Sequence, residues 1–255
     1  MTTRESEIRD AIERAADVIA RGRVGVLTGA GVSVESGIPD FRSGGGLWDR
    51  FDPWEYATID AFREDPAKVW QMFRAVEDLL ATADPNPAHH ALATLESLGV
   101  VEGIVTQNID GLHRRAGSDR VIRIHGDVAA LHCIWCGASY DASSVPDYSG
   151  GVPFCACGRP LKPTVVLFGE LLPGAALDAS RHLMDTVDAL LVIGTSATVA
   201  PVASFPAIVQ GRGRPIVEVN LAGAQLDHGP RDVIVRGPAG DVLPALAEAV
   251  RARVA

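Results

Sequence analysis

Four groups of residues in this 255-residue chain have the types and spacing that chemistry needs. The first is LTGAGVSVESGIPDFRS, from Leu27 to Ser43. An apolar run, VGVLT, feeds Gly29 and Gly31, the first two glycines of a dinucleotide-binding turn that sets backbone N–H groups against a phosphate. The third glycine of that turn is missing. Val34 holds its place, and a polar, proline-bearing segment ending in Asp40, Phe41 and Arg42 follows. The second group is TQNIDGLH, Thr106 to His113, rich in amide and carboxylate side chains. The third is IHG, Ile124 to Gly126, whose imidazole has an unperturbed pKa suited to a general base. Each alone has a plainer reading. A histidine at a strand end is usually structural, and Gln-Asn-Ile-Asp also makes an Asx turn that caps a helix.

The fourth group is cysteine. Cys133 and Cys136 form a C-x-x-C pair, and Cys155 and Cys157 follow after 18 intervening residues as a tighter C-x-C pair. Two close pairs at this separation match a tetrahedral four-thiolate zinc ribbon. Four protein thiolates leave no position open for water, so the zinc is expected to be structural. The segment carrying them is poor in apolar residues and is expected to need the metal to fold.

The elements that must position these groups alternate. Short runs rich in Val and Ile read as buried strands at 24–28, 102–106, 121–125, 164–168, 189–194, 215–219 and 232–236. Most lack a period of two, as strands covered on both faces do. Helical patterns at 6–20, 66–81, 87–98, 175–187, 201–210 and 242–250 lie among them, several opened by proline. This predicts an α/β fold with a doubly wound, Rossmann-like parallel sheet. Two segments break the rhythm: 40–86 is helical, aromatic and strandless, and 127–163 is rich in Cys, Gly, Pro and Ser. The expected division is a large lobe of 1–39, 87–126 and 164–255, with 40–86 as helical insertion and cofactor loop and 127–163 as zinc-binding insertion. Ligands of open α/β sheets bind beyond the carboxyl ends of strands, so the cleft between the lobes is the expected site.

Composition narrows the function. A hydrophobic fraction of 47% provides for a sizeable core. A net charge of −9 without a Lys/Arg cluster argues against nucleic acid as partner. The charged N-terminal stretch resembles no targeting peptide, and no run is long and apolar enough to span a membrane. A cytoplasmic, monomeric protein is the expectation.

The motifs GAGVSVESGIPDFRS, TQNIDGLH, HG, the four cysteines, FGE (168–170), GTS (194–196) and EVN (218–220) follow in the order of the sirtuins. The resemblance runs from about Val24 to Val250 and implies an NAD-dependent protein deacylase. It implies that Gly29, Ala30, Gly31 and Ser33 bind the cofactor, with Asp40, Phe41 and Arg42 on a loop that closes over the nicotinamide ribose. Asp110 and the Ile109 backbone would hold the nicotinamide carboxamide, and Gln107 and Asn108 the ribose hydroxyls. Asn108 would also be catalytic, together with His125 as general base on a ribose hydroxyl. Gly194, Thr195 and Ser196 would take phosphate and ribose, Asn220 and Leu221 the adenosine side, and Ala239 the adenine. Val166, Phe168 and Gly169 would flank an acyl-lysine of a protein or peptide partner. The sequence departs from the family at Leu167 and Ala197, and the Tyr-x-x-Arg pair of desuccinylating sirtuins falls on Phe73 and Val76. An ADP-ribosyltransferase or NAD glycohydrolase on the same fold is the alternative, and a non-catalytic NAD-sensing module a further one. A hydride-transferring dehydrogenase is disfavoured by the missing third glycine.

Overall fold

The computed structural model describes residues 3–39, 47–145 and 151–254. The chain opens with helix α1 (Thr3–Ile19), whose apolar stripe packs on the sheet, and enters strand β1 (Val24–Thr28). Four helices follow in the helical insertion: α2 (Leu47–Arg50), α3 (Pro53–Tyr56), α4 (Ile59–Glu64) and α5 (Pro66–Ala81). Their starts are written in side chains. Asp52, Thr58 and Asp65 each accept a backbone N–H from the first turn, at 2.8, 3.0 and 3.0 Å, and Pro53 and Pro66 fill N-terminal positions that need no donor. Helix α6 (Pro87–Ser97) opens with a reciprocal cap between Asn86 and His89.

Strand β2 (Val101–Thr106), helix α7 (Leu112–Arg115) and strand β3 (Val121–Arg123) complete the first half of the sheet. The zinc-ribbon candidate supplies β4 (Ala130–His132), β5 (Ser139–Asp141) and β6 (Lys162–Pro163), an antiparallel sheet in the order β5-β4-β6. The second half runs α8 (Gly174–Thr186), β7 (Ala189–Ile193), α9 (Phe205–Gly211), β8 (Ile216–Asn220), β9 (Val233–Arg236) and α10 (Ala239–Val254).

The main sheet is parallel throughout, in the order β3-β2-β1-β7-β8-β9. Helices α1, α6 and α10 cover one face, and α8 and α9 the other. Every residue of β1 and β7 is buried, which explains why their sequences are continuously apolar. Strand order reverses at β1, which pairs with β2 on one side and β7 on the other. That reversal opens a crevice at the carboxyl edge. A separate apolar cluster, built on Phe62, Trp70, Phe73, Leu131 and Leu161, joins the helical insertion to the cysteine-bearing sheet.

One expected strand is not one. Residues 164–168 belong to neither sheet, and Phe168 makes only an isolated parallel bridge to Thr58. Their amides go to scattered carbonyls instead: Thr164 to Ala130 at the start of β4, Val166 to His125 and Phe168 to Ala57. Val165 and Leu167 are buried while Phe168 is exposed. The segment bridges the two lobes along the cleft, and its apolar composition serves that wall instead of a sheet core.

Candidate active site

The turns after β1, β2 and β7 meet at the crevice, and glycine permits the meeting. A Cβ on Gly31 would lie 2.7 Å from Gly194 Cα, and one on Gly194, whose φ is 56°, would lie 2.4 Å from Val32 N. The turn after β1 then departs from a Rossmann helix. It makes two short 3-10 turns, Ala30–Val32 and Val34–Ser36, and no α-helix, consistent with the missing third glycine. The neighbouring turns are tied together by side chains. Gln107 Nε2 donates to Thr195 Oγ1 at 2.8 Å, and Asn220 Nδ2 donates to the Thr195 carbonyl at 2.9 Å.

The cleft they border has a volume of about 1160 Å³. Gly29, Ala30, Gly31, Gly194, Thr195, Ser196, Asn220, Leu221 and Ala239 line one end. Met72, Phe73 and Val76 of α5, with Val165, Val166, Leu167, Phe168 and Gly169, line the other. Gln107, Asn108, Ile109 and His125 also line it. Two expected cofactor residues stand behind this surface. Ser33 is buried, and its hydroxyl donates to Asp110 Oδ2 at 2.7 Å. Asp40, Phe41 and Arg42 lie outside the described residues.

His125 follows β3, and the chain turns at once through Gly126, with a φ of 79°. A Cβ on Gly126 would overlap the Thr164 carbonyl, so only glycine lets the histidine's turn pack on the bridging segment. The His125 ring nitrogen Nδ1 lies 3.0 Å from the Gln107 carbonyl, which can only accept. Nδ1 therefore carries the proton and Nε2 is left as the acceptor. Burial lowers the His125 pKa below the ordinary 6.5, against the opposing effect of the Gln107 carbonyl, and favours the neutral ring. Asn108 is fixed as well: its Nδ2 donates to the Gly29 carbonyl and to Ser33 Oγ, each at 3.1 Å.

Behind Asn108 lies a buried polar layer that the motifs did not reveal. Ser33 Oγ is 3.5 Å from His89 Nε2, while the Asn86 amide donates to His89 Nδ1 at 3.3 Å. The same Nδ1 also lies 3.0 Å from Asn86 Oδ1, so Asn86 meets either tautomer of the ring, and Ser33 directs its own O–H to Asp110. His113 Nε2 bonds Thr28 Oγ1 at 3.0 Å, and Thr28 donates to Thr106 Oγ1 at 2.8 Å. Burial depresses both imidazoles, His89 to about 4 and His113 to about 3, so both are neutral near pH 7. His89 reads in sequence as an ordinary helix residue. Only its place three residues after Asn86 hinted at a cap.

The two close cysteine pairs, with 18 residues between them, converge. All four Sγ atoms lie within 4.8 Å of one another, with Cys133–Cys157 at 3.7 Å and Cys136–Cys155 at 3.5 Å. Thiolates about 2.3 Å from a tetrahedral zinc stand roughly 3.8 Å apart, so the quartet fits that ion despite the C-x-C pair. No fifth ligand is needed.

A family model described as the Sir2 family matches residues 29–201, more than half of the chain. The chain belongs to the Sir2 family. Among curated relatives, the NAD-dependent protein deacylase 2 of Pyrobaculum aerophilum is 44% identical over 245 residues, covering 94% of this chain and 96% of that one. The NAD-dependent protein deacylase 1 of Archaeoglobus fulgidus is 45% identical over 226 residues, covering 88% and 91%. Among solved structures, a Sir2 homologue in complex with NAD superposes with a TM-score of 0.88 at 42% identity, covering 95% of each chain. A Sir2 protein bound to a myristoylated histone peptide superposes with a TM-score of 0.78 at 36% identity, covering 95% of this chain and 97% of that one. This sirtuin thus shares fold and chain length with proteins that hold both halves of the expected reaction. Among its described residues, no helix is long and apolar enough to cross a membrane.

Proposed function

We propose that this sirtuin removes acetyl and other neutral acyl groups from protein lysines, using NAD as co-substrate and giving nicotinamide and O-acyl-ADP-ribose. One observation carries the reading. A single cleft joins a glycine-walled end, suited to a dinucleotide, to an apolar end between α5 and residues 165–169, and His125 borders it with an Nε2 acceptor that has no partner among the described residues. A glycohydrolase or ADP-ribosyltransferase has less use for the apolar end.

NAD supplies an electrophilic ribose carbon and a departing nicotinamide. The chain's own residues do the rest. Gly29, Ala30, Gly31, Gly194, Thr195 and Ser196 bind phosphate and ribose along the cleft floor, and Asn220, Leu221 and Ala239 hold the adenosine side. Gln107 and Asn108 orient the nicotinamide ribose, with Asn108 held rigid by Gly29 and Ser33. Ile109 and Asp110 take the carboxamide, Asp110 being steadied by Ser33. Neutral His125 accepts a ribose hydroxyl proton at Nε2. Val166, Phe168 and Gly169 flank the acyl-lysine, and no partner for the Val166 carbonyl is found among the described residues. Asp40, Phe41 and Arg42, outside the described residues, are assigned to the nicotinamide ribose by the family resemblance alone. Cys133, Cys136, Cys155 and Cys157 would hold a structural zinc, whose role is to keep the small sheet folded. The same reading takes the enzyme as a cytoplasmic monomer.

Mass spectrometry of an acetyl-lysine peptide incubated with and without NAD tests the proposal. Free lysine should appear only with NAD, together with one nicotinamide per lysine. Nicotinamide release at the same rate without peptide would instead make the protein a glycohydrolase.

A further inference from the structure

The bridging segment 163–169 is held differently on its two edges. Along an extended chain, the polar groups of alternate residues point to the same side. On one side the amides of Thr164, Val166 and Phe168 donate to the carbonyls of Ala130, His125 and Ala57, at 2.8, 2.9 and 2.8 Å. Backbone from three separate places in the chain, the first residue of β4 and two turns, closes that edge. The other edge is closed by side chains. Lys162 Nζ donates to the carbonyls of Pro163 and Val165 at 2.9 and 2.7 Å, and Glu170 Oε2 accepts the Leu167 amide at 2.8 Å. Nζ and Oε2 are themselves 3.1 Å apart, so the three ammonium donors meet three acceptors.

Lys162 is completely buried and Glu170 nearly so, with side chains 0% and 16% exposed. A buried pair is retained at a desolvation cost, and replacement by apolar residues is often neutral or stabilising. Stability alone is therefore a poor account of it. Its position offers a better one. Lys162 belongs to β6, which pairs with β4 of the cysteine-bearing sheet, and the next residues run straight into the cleft wall. The ion pair stands where a neighbouring strand would otherwise be.

We propose that Lys162 and Glu170 are positioning residues for the acyl-peptide. They hold the Pro163, Val165 and Leu167 edge of the cleft wall in place where no strand pairs with it, and so set peptide affinity without contributing to the dinucleotide end of the cleft. The proposal rests on the deacylase reading for the identity of its ligand, but its test includes a binding measurement that needs no turnover.

Lys162→Met removes the ammonium at similar length, and Lys162→Arg keeps the charge and several donors. The double variant Lys162→Met/Glu170→Leu removes both charges, leaving no unpaired ion in the interior if the single variant does not fold. For each protein, zinc content, ADP-ribose affinity, the affinity of a fluorescent acetyl-lysine peptide in the presence of ADP-ribose, and KM for peptide and for NAD are measured. Lys162→Met and the double variant should raise peptide Kd and KM by about tenfold or more, while ADP-ribose Kd and the KM for NAD stay within about twofold. Lys162→Arg should bring peptide Kd back to within about threefold of the parent. A folded, zinc-loaded variant with unchanged peptide affinity would overturn the proposal. So would an equal loss of ADP-ribose affinity, or failure of both the single and the double variant to fold, since the pair would then serve the fold at large. Parent protein that binds the peptide tightly but never deacylates it would overturn the deacylase reading and leave this one standing.

Discussion

The acyl group that enters the cleft must be neutral, and the structure gives the reason. Phe73 and Val76 line the apolar end and are 1% and 6% exposed, with Met72 beside them at 4%. The nearest cation in sequence, Arg74, is engaged elsewhere. It pairs with Glu77 at 3.1 Å, donates to the Gly151 carbonyl at 2.9 Å and lies 4.8 Å from the Trp70 ring centre. A succinyl carboxylate reaching this end would lose its water and find no partner among the described side chains of α5. The loss for such a burial is several kcal/mol. Taking about 3 kcal/mol, and 1.36 kcal/mol per decade, succinyl-lysine should be turned over roughly 150-fold less efficiently than acetyl-lysine. Parallel kcat/KM measurements on acetyl-, butyryl- and succinyl-peptides read this directly. The reciprocal variant Phe73→Tyr/Val76→Arg should raise desuccinylation and lower deacetylation, because a phenol and a guanidinium fork together bind a carboxylate. Equal efficiencies on acetyl and succinyl peptides in the parent protein would refute the reasoning.

Three further outcomes follow from the same geometry. His125→Ala should cut turnover by about 10²–10⁴-fold while ADP-ribose binding and melting temperature change little, and wild-type turnover in the variant would remove His125 from the mechanism. Cys133→Ala or Cys157→Ala should release the metal and lower the melting temperature before any effect on chemistry is read, as followed by zinc assay and calorimetry; a zinc-free protein of unchanged stability and activity would show that the quartet holds no metal. Stability should fall as pH drops below about 6.5, because unfolded His89 and His113 then take protons that the folded forms, depressed to about 4 and 3, refuse. Between pH 6.5 and 5 this amounts to about 2–4 kcal/mol for the two together. Buffer-dependent calorimetry at pH 5 should register uptake of at least about two protons on unfolding, His125 and His132 adding to His89 and His113, and no uptake would show that the buried imidazoles are already charged.

How much of this was legible in the sequence depends on what each residue's neighbours along the chain could reveal. The glycine turn, Gln107 to Asp110 and the cysteine quartet declare themselves because their chemistry and their spacing are both local. Helix starts at Pro66 and Pro87 were legible from the prolines themselves, and the structure adds caps from Asp65 and Asn86. Residues 164–168 were not, because a Val-rich run has the same composition whether it lies in a sheet or along a cleft wall. Only its hydrogen bonds to Ala130, His125 and Ala57 distinguish the two. Glu170 closes the FGE motif, but nothing in the sequence pairs it with Lys162 until the fold buries the two against each other. His89 and His113 lie 24 positions apart, on different helices, and come within 4.9 Å between ring centres only in the tertiary structure.

The central claim is that one cleft joins the acyl group of a lysine to the ribose of NAD, instead of hydrolysing either by itself. Turnover of an acetyl-lysine peptide with NAD in heavy-oxygen water tests it most directly. The account predicts one nicotinamide and one O-acetyl-ADP-ribose for each lysine freed, with a single water-derived oxygen found in the acetyl group of that product. Free acetate formed without nicotinamide, or labelled ADP-ribose accumulating while the peptide stays acetylated, would contradict it.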